Sequence, residues 1–340
     1  MLKDEAGAIN PAAGRKLMWT FCGIAVFAIC AIGFPFLVTA LGKPDLITLA
    51  TRMAIYAIAA ASLNLILGYG GLVSFGHAAY FGVGGYAVGI LNQHFVSGEP
   101  FLGLVPGTNQ FIVSMIVAMA VSGLFALVLG ALSLRTSGLQ FIMITLAFAQ
   151  MVFFIFVSLR TYGGDDGLIV RRRNVLFGLN MADDAAFYFI CIVIASIYFL
   201  IFARLVRSGF GLVLGGVRQN ERRLAAIGIP TYRYKLTAFV IAGIGAGLAG
   251  AMMANFSKFI SPDTLHWSQS GELMIMVIVG GAGTLLGPAV GAVLFLGLQT
   301  MLTGWTEHWQ VILGPILVII ALFTNAGLLS WFQRRTSAGG

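Results

Sequence analysis

The chain has 340 residues, of which 59% are hydrophobic and only 9% charged, with a formal net charge of +8. A soluble domain carries about 25% charged residues, so the composition excludes an ordinary soluble enzyme or binding module and predicts an integral membrane protein. The basic residues sit at the ends of apolar runs and in the loops between them, a pattern that orients a protein in a bilayer and builds no nucleic-acid face.

Charge-free runs long enough to cross a bilayer core recur along the chain, and strand-like alternation is absent, so the spans are expected to be helices. After a cytoplasmic segment 1–16, a retained first span is predicted from about Trp19 to Leu41, longer than a signal-peptide core. A second runs from about Leu46 to Leu67. Arg52 lies inside it, either snorkelling to the interface or serving a pathway. A Gly-rich interruption, Gly68 to Leu72, leads to a third, glycine-dense helix from Val73 to Leu91, suited to close packing inside a bundle or to a broken geometry. The segment Asn92 to Gln110 reads as an outer loop, followed by spans at Phe111 to Leu134 and Leu139 to Ser158 with Arg135 on the inner side.

A polar outer loop from Arg160 to Asp184 holds Asp165 and Asp166, read as a solvated turn in preference to a cation site, and Arg171–Arg173, whose charge sits against the topological rule. A sixth span, Ala185 to Ala203, returns to the inner side. There, residues 204–235 hold seven of the twenty Lys and Arg (Arg204, Arg207, Arg218, Arg222, Arg223, Arg233, Lys235), with Glu221 the only acid. A seventh span, Leu236 to Ser257, leads to an outer connection with Lys258, Pro262 and Asp263. Splitting the next apolar region at Gly280–Gly283 places both termini inside, which predicts about ten spans, the last from Trp309 to Trp331, and a tail 332–340. The fold class is thus an all-α, polytopic membrane bundle over 17–331 with Gly-rich broken helices in each half.

The two interruptions share a spacing: Gly70 and Gly76 stand as Gly281 and Gly287 do, against the background that 44 of the residues are glycine. Paired broken helices commonly form a translocation path, and Asn64, Ser74, His77 and Tyr80 beside the first are the polar groups expected to line it. His77 is equally a helix-packing residue. Ser74 and His77 do not form a hydrolytic pair, because Leu72 replaces the first glycine of a nucleophile elbow and no acid orients His77. The acids all lie in or beside loops, leaving no obvious coupling-ion site. A P-loop is absent, so ATP, if used, is bound by a partner. Cys22, Cys30 and Cys191 lie in apolar runs without metal or redox spacing. No metal or cofactor is expected.

The block Ser62–Phe81, the stretch Tyr162–Leu168, the loop Val217–Ile229 and the stretch Val279–Pro288 together resemble, in order, the signatures of the LivM-type permease of branched-chain amino acid ABC importers. The resemblance implies a second related permease chain, two cytoplasmic ATPases, an extracytoplasmic solute-binding protein and a bacterial inner-membrane location. It also implies a coupling helix from about Val217 to Ile227, with Val217, Leu224 and Ile227 on one face for the ATPase groove, Arg218, Glu221, Arg222 and Arg223 beside it, and Gly215, Gly216 and Gly228 as hinges or caps. The alternative for this loop is an amphipathic segment held by lipid headgroups. Branched-chain or other apolar amino acids are the expected cargo, with urea or short amides, or a passive channel, as alternatives.

Overall fold

The computed structural model describes residues 45–100, 106–176 and 183–305, together with Gly33, Met181, His308 and 310–315. Apart from Gly33 and 310–315, the expected first and last spans lie outside the described residues. The chain divides into two compact units, Met1–Ala50 and Thr51–Gly340.

The helices follow the apolar runs. They are α1 (Asp45–Asn64), α2 (His77–Ser97), α3 (Phe111–Ser133), α4 (Leu139–Ser158), α5 (Asp184–Val206), α6 (Gly209–Ala226), α7 (Thr231–Ser257), α8 (Trp267–Gly280) and α9 (Gly287–Thr303). Among the described residues five segments are long and apolar enough to cross a membrane: α1 extended to Tyr69, then α3, α4, α5 and α7. With the family matched below, this makes the protein a multi-pass helical membrane protein. The Gly280–Gly283 split is present, but α8 and α9 have 14 and 17 residues, fewer than the roughly 20 that a perpendicular span needs.

The core is assembled from α2, α3 and α7, whose small residues let backbones meet. A Cβ on Gly250 would strike the Phe81 carbonyl, and one on Gly84 would strike the backbone of Gly247. Such contacts replace the hydrophobic effect as the source of helix association in lipid. Ser122 on α3 adds a hydroxyl donated to the Tyr80 carbonyl at 3.0 Å. By contrast, α4 and α5 present Leu139, Met143, Phe154, Val193, Leu200 and Ile201 outward.

The three expected outer loops meet at one end. Strand β1 (Leu168–Ile169) pairs antiparallel with β2 (Phe259–Ile260), Val170 N–H reaches the Lys258 carbonyl at 2.9 Å, and Gln110 bridges Val175. Arg173 pins this end. It is buried, donating to the carbonyls of Asn255 (3.2 Å) and Met181 (3.1 Å) and to Asp184 (2.5 Å), with its guanidinium 4.7 Å from the Phe187 ring centre. The sequence placed it in the outer loop as one of three arginines that sit against the topological rule. Its partners lie up to 82 positions away, which removes any local signature. The Asp165–Asp166 turn is a short exposed 3-10 segment. Residues 134–137 and 219–235 gather elsewhere in the unit, with the Tyr232 hydroxyl donating to the Ala131 carbonyl at 3.0 Å.

Candidate translocation and coupling site

The first interruption begins where α1 widens into a π turn, Leu65–Tyr69. Leu72 N–H returns to the Ile66 carbonyl at 2.9 Å, and residues 72–76 then lack regular structure until α2 starts at His77. Irregular backbone at membrane depth persists only where protein satisfies its polar groups, and neighbouring helices do so here. Thr145 on α4 accepts from Phe75 N–H at 3.3 Å. Ser270 on α8 donates to the Phe75 carbonyl at 2.7 Å and accepts from Ala78 N–H at 2.8 Å. Ser74 turns inward on its own loop, accepting from Gly76 N–H at 3.2 Å.

The second interruption is shorter. Gly281 and Gly283 adopt φ of +117° and +81°, a region open to glycine. The Thr284 hydroxyl donates to the Gly281 carbonyl at 2.8 Å and accepts from Gly287 N–H at 3.1 Å, closing the turn into α9 with Pro288 in its first turn.

The two interruptions touch. Asn64, fully buried at the end of α1, accepts from Gly283 N–H at 2.9 Å and donates to the Thr284 carbonyl at 2.8 Å. Gly68 sits so close to Gly283 that a Cβ there would overlap its nitrogen and the Asn64 carboxamide. Arg218 on α6 completes the junction: its Nη1 donates to the Gly68 carbonyl, and its stem lies against Gly71. The expected coupling arginine is therefore bonded to the base of the first interruption.

All eight residues expected on the path (Asn64, Gly70, Ser74, Gly76, His77, Tyr80, Gly281, Gly287) are buried. Asn64 and Ser74 make structural hydrogen bonds. His77 Nε2 lies 2.8 Å from Ser62 Oγ, while Ser62 donates to the Ala59 carbonyl at 2.7 Å. With that hydroxyl proton committed, His77 donates through Nε2 and leaves Nδ1 an unpaired buried acceptor. The Tyr80 ring stands edge-on between His77 and Phe239.

The coupling segment is helical from Gly209, earlier than its composition suggested, and it is not one continuous helix over Val217–Ile227. Asn220 is extended (φ −160°, ψ 95°), and its side chain accepts from Arg223 N–H at 3.0 Å, as an N-cap restarting the helix. The expected single apolar face is consequently divided: Val217 is buried, Leu224 half-buried and Ile227 exposed. Gly228, at φ +84°, ends the helix in a Schellman arrangement, with Ile229 N–H on the Leu224 carbonyl and Gly228 N–H on that of Ala225. Gly215 and Gly216 fall within α6 instead of flanking it. Glu221 ties the segment to α7 through Lys235 at 2.6 Å and Thr231 at 3.0 Å. Arg222 and Arg223 are exposed, and a groove of about 670 Å³ lies beside them, lined by Arg135, Thr136, Gln219, Asn220, Arg222 and Lys235 among others. Among the described residues no group of three or more His, Cys, Asp or Glu is placed to hold a metal.

Glu272, expected beside a loop, lies in the second turn of α8, where Gln269 joins it to Tyr56 of α1.

A polytopic helical bundle in which two interrupted helices meet over a basic, capped segment is the architecture of a membrane transport subunit. The family described as branched-chain amino acid transport system / permease component matches residues 45–322. The chain belongs to that family, whose members are permease subunits of ABC importers. It is 25% identical over 329 residues to the high-affinity branched-chain amino acid transport system permease protein LivM of Salmonella typhimurium, covering 88% of this chain and 73% of that one. It is 24% identical to the probable branched-chain amino acid transport permease protein LivM of Methanocaldococcus jannaschii, covering 82% of this chain and 89% of the relative. It is also 27% identical to the L-arabinose ABC transporter permease protein AraH of Azospirillum brasilense, over 65% of this chain and 66% of the relative. No solved structure matches the chain.

Proposed function

We propose that this permease forms, with a second related permease chain, the path by which branched-chain or other apolar amino acids enter across a bacterial cytoplasmic membrane. Two cytoplasmic ATPases drive it and an extracytoplasmic binding protein delivers the solute. The amino acid cargo is supported by the names of the LivM relatives. Residues 17–331 form the transmembrane domain, 204–235 face the cytoplasm, and both termini lie on that side.

The observation that carries the mechanism is the bond from Arg218 to the Gly68 carbonyl, beside the Asn64 bridge to Gly283 and Thr284. A force applied by an ATPase to the exposed Arg222–Arg223 segment passes through the kink at Asn220 to Arg218, and from there to both interruptions at once. Their rearrangement switches access between the two sides. Asn64, Ser74, His77, Tyr80 and the glycines Gly70, Gly76, Gly281 and Gly287 form the moving wall of the path, and the unpaired Nδ1 of His77 supplies it with an acceptor.

The complete importer in proteoliposomes provides the test. Unmodified protein is expected to accumulate leucine only with ATP inside and binding protein outside, and to leave urea and arabinose behind. Charge reversal at both Arg222 and Arg223 is expected to release the ATPases during purification and abolish uptake. Unchanged assembly and uptake would contradict the coupling role, and uptake persisting without ATPase would assign a channel.

A further inference from the structure

Charged side chains inside a membrane domain are costly and mark function. Arg52 on α1 and Glu272 on α8 are such groups. Arg52 lies seven residues into its helix, about 10 Å along the axis at 1.5 Å per residue. Its guanidinium is 5.6 Å from the Tyr56 ring centre. Its Nε is buried without a hydrogen-bond partner, whereas a side chain snorkelling to headgroups would keep its donors wet.

Glu272 is half-buried and takes a hydrogen bond from the Gln269 amide at 3.3 Å; the same nitrogen reaches the Tyr56 hydroxyl at 3.4 Å. Arg52 and Glu272 lie within each other's electrostatic reach, but no ion pair joins them among the described residues. An anion and a cation are thus held on adjacent helices, linked by a tyrosine and an amide, with the cation retaining an unused buried donor.

From this arrangement we infer that Arg52 and Glu272 form a head-group site for a zwitterionic α-amino acid. The inference rests on the amino acid reading above and deepens it. The guanidinium, a planar fork matched to carboxylates, receives the α-carboxylate. The Glu272 carboxylate, held by Gln269, receives the α-ammonium. Only the part common to all α-amino acids is recognised here, so side-chain choice falls to the binding protein, and neutral urea or a sugar finds no charge complement. The pair lies nearer the α1 start than the Arg218 junction, which suits loading before the interruptions move.

The test uses the whole importer in proteoliposomes, with leucine uptake and ATP hydrolysis measured together for Arg52→Gln and Glu272→Gln, and for the charge-preserving Arg52→Lys and Glu272→Asp. Each neutral variant is expected to lose at least about tenfold in uptake, the equivalent of one charge-assisted hydrogen bond, while keeping binding-protein-stimulated hydrolysis within about twofold. Glu272→Asp is expected to retain most uptake, and Arg52→Lys, which keeps the charge and loses the fork, to retain more than Arg52→Gln. Unchanged uptake in either neutral variant, or a proportional fall in uptake and hydrolysis, overturns the site. Failure of the unmodified complex to move leucine overturns the cargo reading itself, so the two failures are distinct.

Discussion

The two helix interruptions look alike in sequence and are held in opposite ways. The turn at Gly281–Gly287 is closed locally by Thr284, which supplies both a donor and an acceptor within a few residues, and is held from a distance by Asn64. The stretch 72–76 depends on Thr145 of α4 and Ser270 of α8, partners 70 and 195 positions away. A turn with local hydrogen bonds forms wherever its glycines allow it, whereas the 72–76 segment takes its shape only in the assembled bundle. The first interruption is therefore the element whose conformation neighbouring helices set, and its Gly68 carbonyl is the group Arg218 binds.

Three substitutions break or sharpen that contrast. Asn64→Leu removes the bridge between the interruptions and strands the Gly283 N–H and the Thr284 carbonyl, at a cost of about 1–3 kcal/mol for each stranded group. Thermal unfolding of the detergent-solubilised permease is expected to show the largest fall in Tm of the three. Ser270→Ala strands the Phe75 carbonyl and the Ala78 N–H, which Ser270 serves with one hydroxyl, and is expected to cost about 1–3 kcal/mol in the same melt. Thr284→Ala removes only a local cap, at about 1 kcal/mol. A Thr284→Ala melt as low as that of Ser270→Ala would erase the distinction between a locally closed and a neighbour-held interruption.

Much of the fold was legible in the sequence because its signals are local or compositional. Apolar runs gave the helices, and the topological argument divided Gly271–Thr300 at Gly280–Gly283, where α8 ends. Basic residues clustered in 204–235, where α6 lies, and Gly228 marked the end of that helix. What escaped depends on partners far along the chain. The bridge made by Asn64 gave no sequence signal because its partners at Gly283 and Thr284 are about 220 positions away. The burial of Arg173 gave no sequence signal because one of its acceptors, the Asn255 carbonyl, is 82 positions away. Asn220, a poor helix former inside an otherwise basic helical stretch, was the one available sign of the kink in α6, since its short side chain competes for backbone donors.

The role given to Arg218 is the centre of this account, and the number of leucine molecules imported per ATP hydrolysed tests it most directly. The complete importer carrying Arg218→Ala is expected to assemble with its ATPases and hydrolyse ATP within about twofold of the unmodified complex. Its uptake per ATP should fall about tenfold, as expected from losing one charge-assisted hydrogen bond between α6 and the Gly68 carbonyl. An unchanged ratio of leucine to ATP would show that the force reaches the interruptions by another route.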